Sequence, residues 1–278
     1  MTFRTILVHL EGGARDQVNL GYAVQLASEH KAHLIALRTI TPFYPTIGTF
    51  GDAAVSVIAE LQERYRRSEQ SEATKLRAEA EKRCQAADVP LEWRIAEQFA
   101  DEVVPQQARY ADLVVTGQAD RDATEPVTAP DMPANVVMGA GRPVLIVPYA
   151  GQFAKPPRHA LVAWSGTREA TRAVHDAPPL LKRCNKVSVL SIDPKDRGHI
   201  AGFDIAAHLA RHGCKCEATR TVTADISTGD ALLSELSDLG ADLLVMGAYG
   251  HSRLREWALG GVTREILGAM TAPVLMSH

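Results

Sequence analysis

A chain of 278 residues is about twice the length of a typical domain, so its size alone predicts two domains. With 46% hydrophobic residues, 23% charged residues and a net charge of −3, it has a globular composition and lacks the basic surface of nucleic-acid-binding or membrane-surface proteins. No segment reaches the run of about 18 apolar residues that a membrane span needs, so we expect neither nucleic acid nor membrane as a partner.

Strand and helix patterns alternate along the first half of the chain. "TILVHL" is a short apolar run typical of a strand buried on both faces of a parallel sheet, and further strands are predicted at "AHLIALRTI", "LEWRIAE", "ADLVVTG" and "PVLIVP". Apolar residues at helical spacing lie between them, in "ARDQVNLGYAVQLASEH" and in "ADEVVPQQARY", where we expect Pro105 to interrupt the helix. Residues 51–90, rich in Ala, Glu, Arg and Lys, predict one long inserted helix, either continuous or broken near Ser68 to Ser71.

The second half repeats this order after a Pro- and Gly-rich linker, "YAGQFAKPPRH" (149–159). "ADLVVTG" (111–117) matches "ADLLVMG" (241–247), "GRPVLIVP" (141–148) matches "TAPVLMSH" (271–278), and "TILVHLEGG" (5–13) matches "HALVAWSGT" (159–167). We infer a duplication and predict an α/β fold, with two doubly wound parallel-sheet domains in tandem over residues 1–150 and 157–278. We also expect the last strands of the two domains to lie side by side, each covering the exposed edge of the other.

The strand "ADLLVMG", the last but one of the second half, leads into a glycine-rich loop, "GAYGHSRLREWALGGVT" (247–263). In open α/β sheets, ligands bind beyond the carboxyl ends of the strands. The following helix begins near Gly261 or Thr263, and its free N–H groups would attract an anion. Glycines at 247, 250, 260 and 261 would let a phosphate approach the main chain closely, although the same glycines could serve only a tight turn and close helix packing.

The spacing Gly247-x2-Gly250-x9-Gly260 resembles the G-x2-G-x9-G-(S/T) signature of the ATP-binding branch of the universal stress protein family. The resemblance covers nearly the whole chain, once per half. It implies a Rossmann-like fold of the adenine nucleotide alpha-hydrolase type and a stress-response sensor or switch that binds ATP, with or without Mg²⁺. It also implies pairing through the last strands, here as an intramolecular pseudo-dimer that can pair again as a homodimer. The nucleotide-binding residues that it implies are Ala163, Ser165, Ile192, Met246, Gly247, Gly250, Gly260, Gly261, Val262 and Thr263.

Two of these positions depart from the family pattern. Gly261 stands where the family has Ser or Thr, so a hydroxyl is lost while the N–H is kept. Ser165 stands where the family has an Asp beside the adenosine, so a charged acceptor is lost. An interaction scaffold of the same fold that binds no nucleotide is therefore the alternative function.

The first half departs further from the pattern. Asp120 stands where Gly250 would be, Pro130 where Gly260 would be, and Asp131 where Gly261 would be. Proline removes an N–H donor, and two carboxylates would repel a phosphate, so the acidic Glu11 at the family's Asp position cannot restore the site. We predict that the first half binds no ATP and serves as a structural or regulatory partner.

Catalysis and metal binding find little support in the sequence. No general base or metal carboxylate can be named for the glycine-rich loop, so any ATP hydrolysis should be slow. His208, His212, Cys214 and Cys216 suggest a zinc site, but a helix that ends at Gly213 favours surface histidines and core thiols. The four cysteines, with no CxxC pair, are typical of reduced cytosolic thiols, and "MTFRTILVHLEGG" lacks a signal-peptide core. We therefore expect a cytoplasmic protein.

Overall fold

The computed structural model describes residues 2–43, 53–119, 131–192, 202–221, 226–250 and 261–278. The elements of the first half are β1 (Thr5–Leu10), α1 (Asp16–His30), β2 (His33–Thr39), α2 (Ala53–Ala86), β3 (Leu91–Ala96), α3 (Ala100–Ala108), β4 (Leu113–Gly117), α4 (Met132–Ala140) and β5 (Val144–Val147). Those of the second half are β6 (His159–Ala163), α5 (Arg168–Asp176), α6 (Pro178–Leu181), β7 (Lys186–Ile192), α7 (Phe203–Arg211), β8 (Cys216–Thr221), α8 (Thr228–Asp238), β9 (Leu243–Gly247), α9 (Gly261–Ala269) and β10 (Val274–Ser277).

The strands of the described residues form one sheet in the order β3-β2-β1-β4-β5-β10-β9-β6-β7-β8. Neighbouring strands are parallel within each half. The last strands β5 and β10 pair antiparallel, with Leu145 opposite Leu275. The predicted α/β fold and the predicted contact between the last strands are both confirmed. The exact division at 1–150 and 157–278 stays a prediction.

Two apolar layers cover the opposite faces of this sheet and continue from one half into the other. One layer packs α1, α2, α5, α6 and α7 on the sheet, and the other packs α3, α4, α8 and α9. Because successive strand residues point to opposite faces, Leu7 and Val8 contribute to different layers. Strands buried on both faces explain the continuous apolar runs in the sequence.

The inserted helix α2 is continuous over 34 residues, without the break considered near residues 68–71. Leu76 and Ala80 are buried, whereas Leu61 is 46% exposed, so only the second part of the helix packs on the body. Ion pairs one turn apart, such as Arg67 with Glu63 at 2.8 Å, line its exposed surface. A chain of good helix formers therefore stays helical where packing is sparse.

The expectation that Pro105 interrupts its helix is wrong, because α3 runs through it. The missing N–H of Pro105 would have bonded to the carbonyl of Asp101, which is an exposed residue. The buried proline ring lies against Gly139 of α4, where a Cβ would come within 3.1 Å of it. Packing between α3 and α4 thus outweighs the local cost of proline.

Side chains also join the two halves beside the β5–β10 pair. The buried Gln118, which follows β4, donates from Nε2 to the Leu267 carbonyl of α9 at 2.8 Å. Its Oε1 accepts from the Tyr149 N–H at 3.0 Å. No helix among the described residues has both the length and the apolar content needed to cross a membrane.

Candidate functional site

The candidate site lies at the carboxyl ends of β6, β7 and β9. The chain adds β7 and β8 on one side of β6 and places β9 and β10 on the other, so the strand order reverses between β6 and β9. A crevice opens at such a switch point because the connections leave in opposite directions. The predicted nucleotide residues that the structure describes lie in the last residues of these strands, in the loops just after them, or in the first turn of α9.

Three of the predicted residues meet on one face of the sheet. Val162 pairs with Val245, which sets Ala163 beside Met246, and Ile192 ends the adjoining strand β7. Met246 is 5% exposed, and Ala163 and Ile192 are partly buried against the same apolar layer. Ala163 contributes only a methyl group to this apolar floor.

The two ends of the glycine-rich loop are also brought together. The exposed Gly250 follows β9, and Gly261 begins α9. The buried Thr263 hydroxyl accepts the Tyr249 N–H at 3.3 Å, which ties the start of α9 to the loop after β9. Val262 is partly buried beside them. Gly260 lies outside the described residues.

Gly247 has a packing role of its own. A Cβ at this position would overlap the backbone of Glu169 and Ala170, and it would lie 2.9 Å from the Ala170 Cα. Glycine here therefore allows the start of α5 to approach β9. Close packing thus explains the glycine at 247, whereas at Gly261 the Cβ position meets only Glu265 Oε1, at 3.8 Å, in the part of the chain that the structure describes.

The loop after β6 completes the site. The exposed Ser165 lies 3.1 Å, hydroxyl to hydroxyl, from Thr167. Thr167 caps α5, because its Oγ1 accepts the Ala170 N–H at 3.2 Å. Both Thr167 Oγ1 and Glu169 Oε2 lie 3.3 Å from where a Gly250 Cβ would be. The N-terminal ends of α5 and α9 thus both border the crevice.

Glu169 is the residue of this site that the sequence did not reveal. Its side chain is 9% exposed, and Oε1 accepts from the Arg168 guanidinium at 3.0 Å. Burial alone would raise the pKa of Glu169, but hydrogen bonds from its own N–H and from Arg168 outweigh burial and hold the pKa below its ordinary value. An acid in the first turn of a helix is common, so its position in sequence gave no sign that the carboxylate faces Gly250.

Equivalent positions in the first half carry polar side chains. Val8 pairs with Val115 as Val162 pairs with Val245, so the repeat sets His9, Thr39 and Thr116 at the places of Ala163, Ile192 and Met246. The His9 ring lies between the two hydroxyls, with Nδ1 3.1 Å from Thr116 Oγ1 and Nε2 2.8 Å from Thr39 Oγ1. Burial, and then the charge of Arg38, lower the pKa of His9 to about 3. A neutral, hydrogen-bonded imidazole therefore stands where the second half has only the methyl group of Ala163.

Arg38 closes the rest of the first-half pocket. Its side chain is 2% exposed, and its Nη2 forms an ion pair with Glu69 of the inserted helix α2 at 2.5 Å. The guanidinium lies so close over Gly12 that a Cβ there would overlap it. Gly166 is the second-half counterpart of Gly12, and no heavy atom of the described residues lies within 4 Å of its Cβ position. Among the described residues, side chains fill the first-half pocket, whereas none covers Gly166 in the second half.

A buried carboxylate holds the loop of the first-half pocket in place. Asp16 accepts the N–H of Gly12 at 2.7 Å and that of Glu11 at 3.2 Å. Burial raises the pKa of Asp16 to about 6 and outweighs these hydrogen bonds. Asp131 stands immediately before α4, whereas Asp120 and Pro130 lie outside the described residues.

Comparison with known proteins gives one family. The sequence model of the universal stress protein family matches residues 2–148 and again residues 157–278. The chain is 41% identical over 46 residues to Universal stress protein Slr1230 from Synechocystis sp. (strain ATCC 27184 / PCC 6803 / Kazusa), a match that covers 16% of each protein.

Solved structures share the arrangement of the whole chain. A universal stress protein from Archaeoglobus fulgidus DSM 4304 is similar with a TM-score of 0.70 at 15% identity, over 98% of this chain and 95% of that one. The functionally unknown protein PA1789 from Pseudomonas aeruginosa PAO1 is similar with a TM-score of 0.57 at 15% identity, over 99% of this chain and 92% of that one. At these identities the likeness establishes the fold.

Proposed function

The chain belongs to the universal stress protein family, and on that premise we propose that its second half binds one adenine nucleotide, ATP, as a sensor or switch in a stress response. The first half takes no nucleotide and acts as the structural or regulatory partner of the second. Binding, rather than turnover, is the activity we assign, and hydrolysis of bound ATP should be slow because no general base has been identified.

The contrast between the two equivalent pockets carries this proposal. In the first half His9 bridges Thr39 and Thr116, and Arg38 covers Gly12. In the second half the equivalent places hold smaller or apolar side chains, and no heavy atom of the residues that the structure describes lies within 4 Å of the Gly166 Cβ position. Side chains that fill a pocket add packing contacts, so a pocket that binds no ligand is expected to become filled. The duplicated pocket has therefore kept its space only where the glycine-rich loop is also kept.

Each part of the second-half pocket suits one part of a nucleotide. We assign the adenosine to the apolar floor formed by Ala163, Ile192 and Met246, with Ser165 beside the ribose. We assign the phosphates to the loop after Gly247 and to the free N–H groups at the start of α9, where the helix dipole favours negative charge. Gly250 and Gly261 let the phosphates approach the main chain.

The alternative function, a scaffold without nucleotide, is favoured by two observations. The ionised Glu169 carboxylate faces Gly250, and it would repel a phosphate bound there. The uncharged Ser165 also offers a weaker contact to adenosine than an Asp would. A direct binding measurement separates the two functions.

The test is an isothermal titration of the purified chain with ATP in Mg²⁺ buffer. We expect one site per chain, and mass spectrometry of denatured, freshly purified protein should release ATP or AMP. Ala163→His, which copies the first half, should weaken binding at least about tenfold. Ala210→His, at an exposed position of α7, is the matched control. Two sites per chain, or no binding at millimolar ATP, would contradict the proposal, and the latter result would establish the scaffold.

The antiparallel pairing of β5 with β10 supports a second part of the proposal. We read the two halves as an intramolecular pseudo-dimer, built around the strands that would otherwise be exposed edges. Sedimentation of the purified chain tests for a further homodimer. The cytoplasmic location expected from the cysteines stays a prediction.

A further inference from the structure

We infer that the chain has a second small-molecule site, between the linker and the amino ends of β9 and β10, and that it binds an uncharged aromatic molecule with a hydrogen-bond acceptor. The site is a cavity of about 570 Å³, within the range of about 300–1,000 Å³ that small-molecule pockets span. It is separate from the proposed nucleotide pocket, because the two lie at opposite ends of β9.

Three parts of the chain form the walls of this cavity. The first half contributes Tyr22 of α1, and the linker contributes residues 152–155. The second half contributes the end of α8, together with residues 240–242 before β9 and residues 271–273 before β10. A ligand in this cavity would therefore contact both halves and the linker at once.

Hydrogen bonds hold the linker in place at both of its ends. Arg15 donates to the Pro148 carbonyl at 2.6 Å and to the Gly151 carbonyl at 2.8 Å. At the other end, the Asp242 carboxylate accepts the Arg158 N–H at 2.9 Å. The cavity is therefore formed before a ligand binds, as most small-molecule sites are.

The Tyr22 hydroxyl indicates what the ligand must supply. The side chain is 1% exposed, yet its hydroxyl has no hydrogen-bond partner in the part of the chain that the structure describes. A buried phenol usually has such a partner, because leaving it without one costs free energy. Burial, and then the charge of Asp242, raise the pKa of Tyr22, so the hydroxyl keeps its proton and can donate. An acceptor atom on the ligand would complete this hydrogen bond.

Aromatic rings indicate the shape of the ligand. The rings of Tyr22 and Phe153 have centroids 6.4 Å apart and planes inclined at 66°, the edge-to-face arrangement that aromatic pairs prefer. Phe153 also packs against the apolar layer that continues through both halves. A flat aromatic ligand would extend this pair, and the removal of its ring from water would supply much of the affinity.

The charges around the cavity favour an uncharged ligand. Lys155 and Asp242 line the cavity, but both residues are exposed and their charges have opposite signs. An ion attracted by one of them would be repelled by the other. It would also lose its hydration beside the uncharged Tyr22, which costs free energy. An uncharged molecule avoids both effects.

The experiment is a fluorescence titration with 6-propionyl-2-(dimethylamino)naphthalene (Prodan), an uncharged aromatic ketone whose emission shifts to the blue in an apolar site. The parent chain should bind one Prodan molecule. Tyr22→Phe removes only the donor and should weaken binding about fivefold. Tyr110→Phe is the matched control, since Tyr110 is 76% exposed and lies outside the cavity, and it should keep the parent's affinity.

A second pair of variants tests the position of the site. Ser237→Phe, at an exposed serine of α8 that lines the cavity, should fill the space and weaken binding at least about tenfold. Ser234→Phe, at an exposed serine one turn earlier that does not line it, should have no effect. Thermal unfolding of each variant verifies that the fold is intact.

The possible results separate this inference from the proposed function. The inference is wrong if the parent does not bind Prodan saturably, or if Tyr22→Phe or Ser237→Phe keeps the parent's affinity. Saturating ATP should leave Prodan binding unchanged, and displacement of Prodan by ATP would contradict the inference while leaving the proposed function intact. If the parent binds Prodan as expected and does not bind ATP, the proposed function fails and the second site stands.

Discussion

A carboxylate at the start of α9 should weaken ATP binding strongly without harming the fold. Gly261→Asp copies Asp131 of the first half. The side chain fits, because the Cβ position at Gly261 meets only Glu265 Oε1, at 3.8 Å, among the described residues. An acid in the first helical turn stabilises the helix by about 0.3–1 kcal/mol, which offsets the mild repulsion from Glu265 one turn later.

The magnitude follows from the charge placed beside the phosphates. A carboxylate about 5 Å from one phosphate charge repels it by about 3 kcal/mol at an effective dielectric constant of about 20. ATP affinity should therefore fall about a hundredfold. Gly261→Ser, which restores the family's hydroxyl, should act in the opposite direction, since a hydrogen bond to a charged group contributes about 1.5–3 kcal/mol. Opposite effects from one position would be hard to explain by a general loss of structure.

Isothermal titration with ATP in Mg²⁺ buffer measures both changes. Ala100→Asp, which adds an acid at the first residue of α3 in the other half, is the control and should leave the affinity unchanged. Thermal unfolding should place all three variants within a few degrees of the parent. If Gly261→Asp bound ATP as tightly as the parent, the start of α9 would not be the phosphate site and the reasoning from its N–H groups would be refuted.

Three further predictions concern stability and are checked by urea unfolding. Gly247→Ala should destabilise the chain by about 1–3 kcal/mol with or without ATP, because the new Cβ overlaps the backbone of α5; equal stability would contradict the packing role. Glu69→Gln should cost about 3 kcal/mol because it leaves the buried Arg38 without its partner, and a cost near zero would show that α2 does not secure the filled pocket. His9 has its pKa lowered from 6.5 to about 3, so the folded state resists a proton that the unfolded state accepts, and stability should fall by up to about 1.4 kcal/mol per pH unit as the pH drops from 6.5 towards 3. Asp16, whose pKa is raised to about 6, has the opposite effect on stability at acid pH. The contribution of His9 is therefore measured by comparison with His9→Gln, whose free energy of unfolding should fall less steeply as the pH drops. An equal slope in the parent and in His9→Gln would exclude His9 as the cause of the acid dependence.

Much of the fold could be predicted because the strands and helices follow from local patterns of apolar and polar residues. The apolar runs that became β1 and β6 are short and continuous, as strands buried on both faces must be. The matching segments around β4 and β9 revealed the duplication, and the glycine-rich loop after Gly247 marked the candidate site. Pro105 was misjudged because the local cost of a proline was weighed without the packing of α3 on α4, which the sequence does not show.

By itself, the sequence determined the strand and helix order, the duplication and the location of the glycine-rich loop, because backbone hydrogen bonding and burial impose periods that can be read along the chain. The tertiary structure alone decided which pocket the protein fills with its own side chains. Arg38 reaches Gly12 from a neighbouring strand, Glu69 reaches Arg38 from an inserted helix, and Glu169 meets Gly250 across the crevice. Such contacts depend on which elements become neighbours and on the direction of each side chain. Neither can be deduced from the periodic spacing of apolar residues along the sequence.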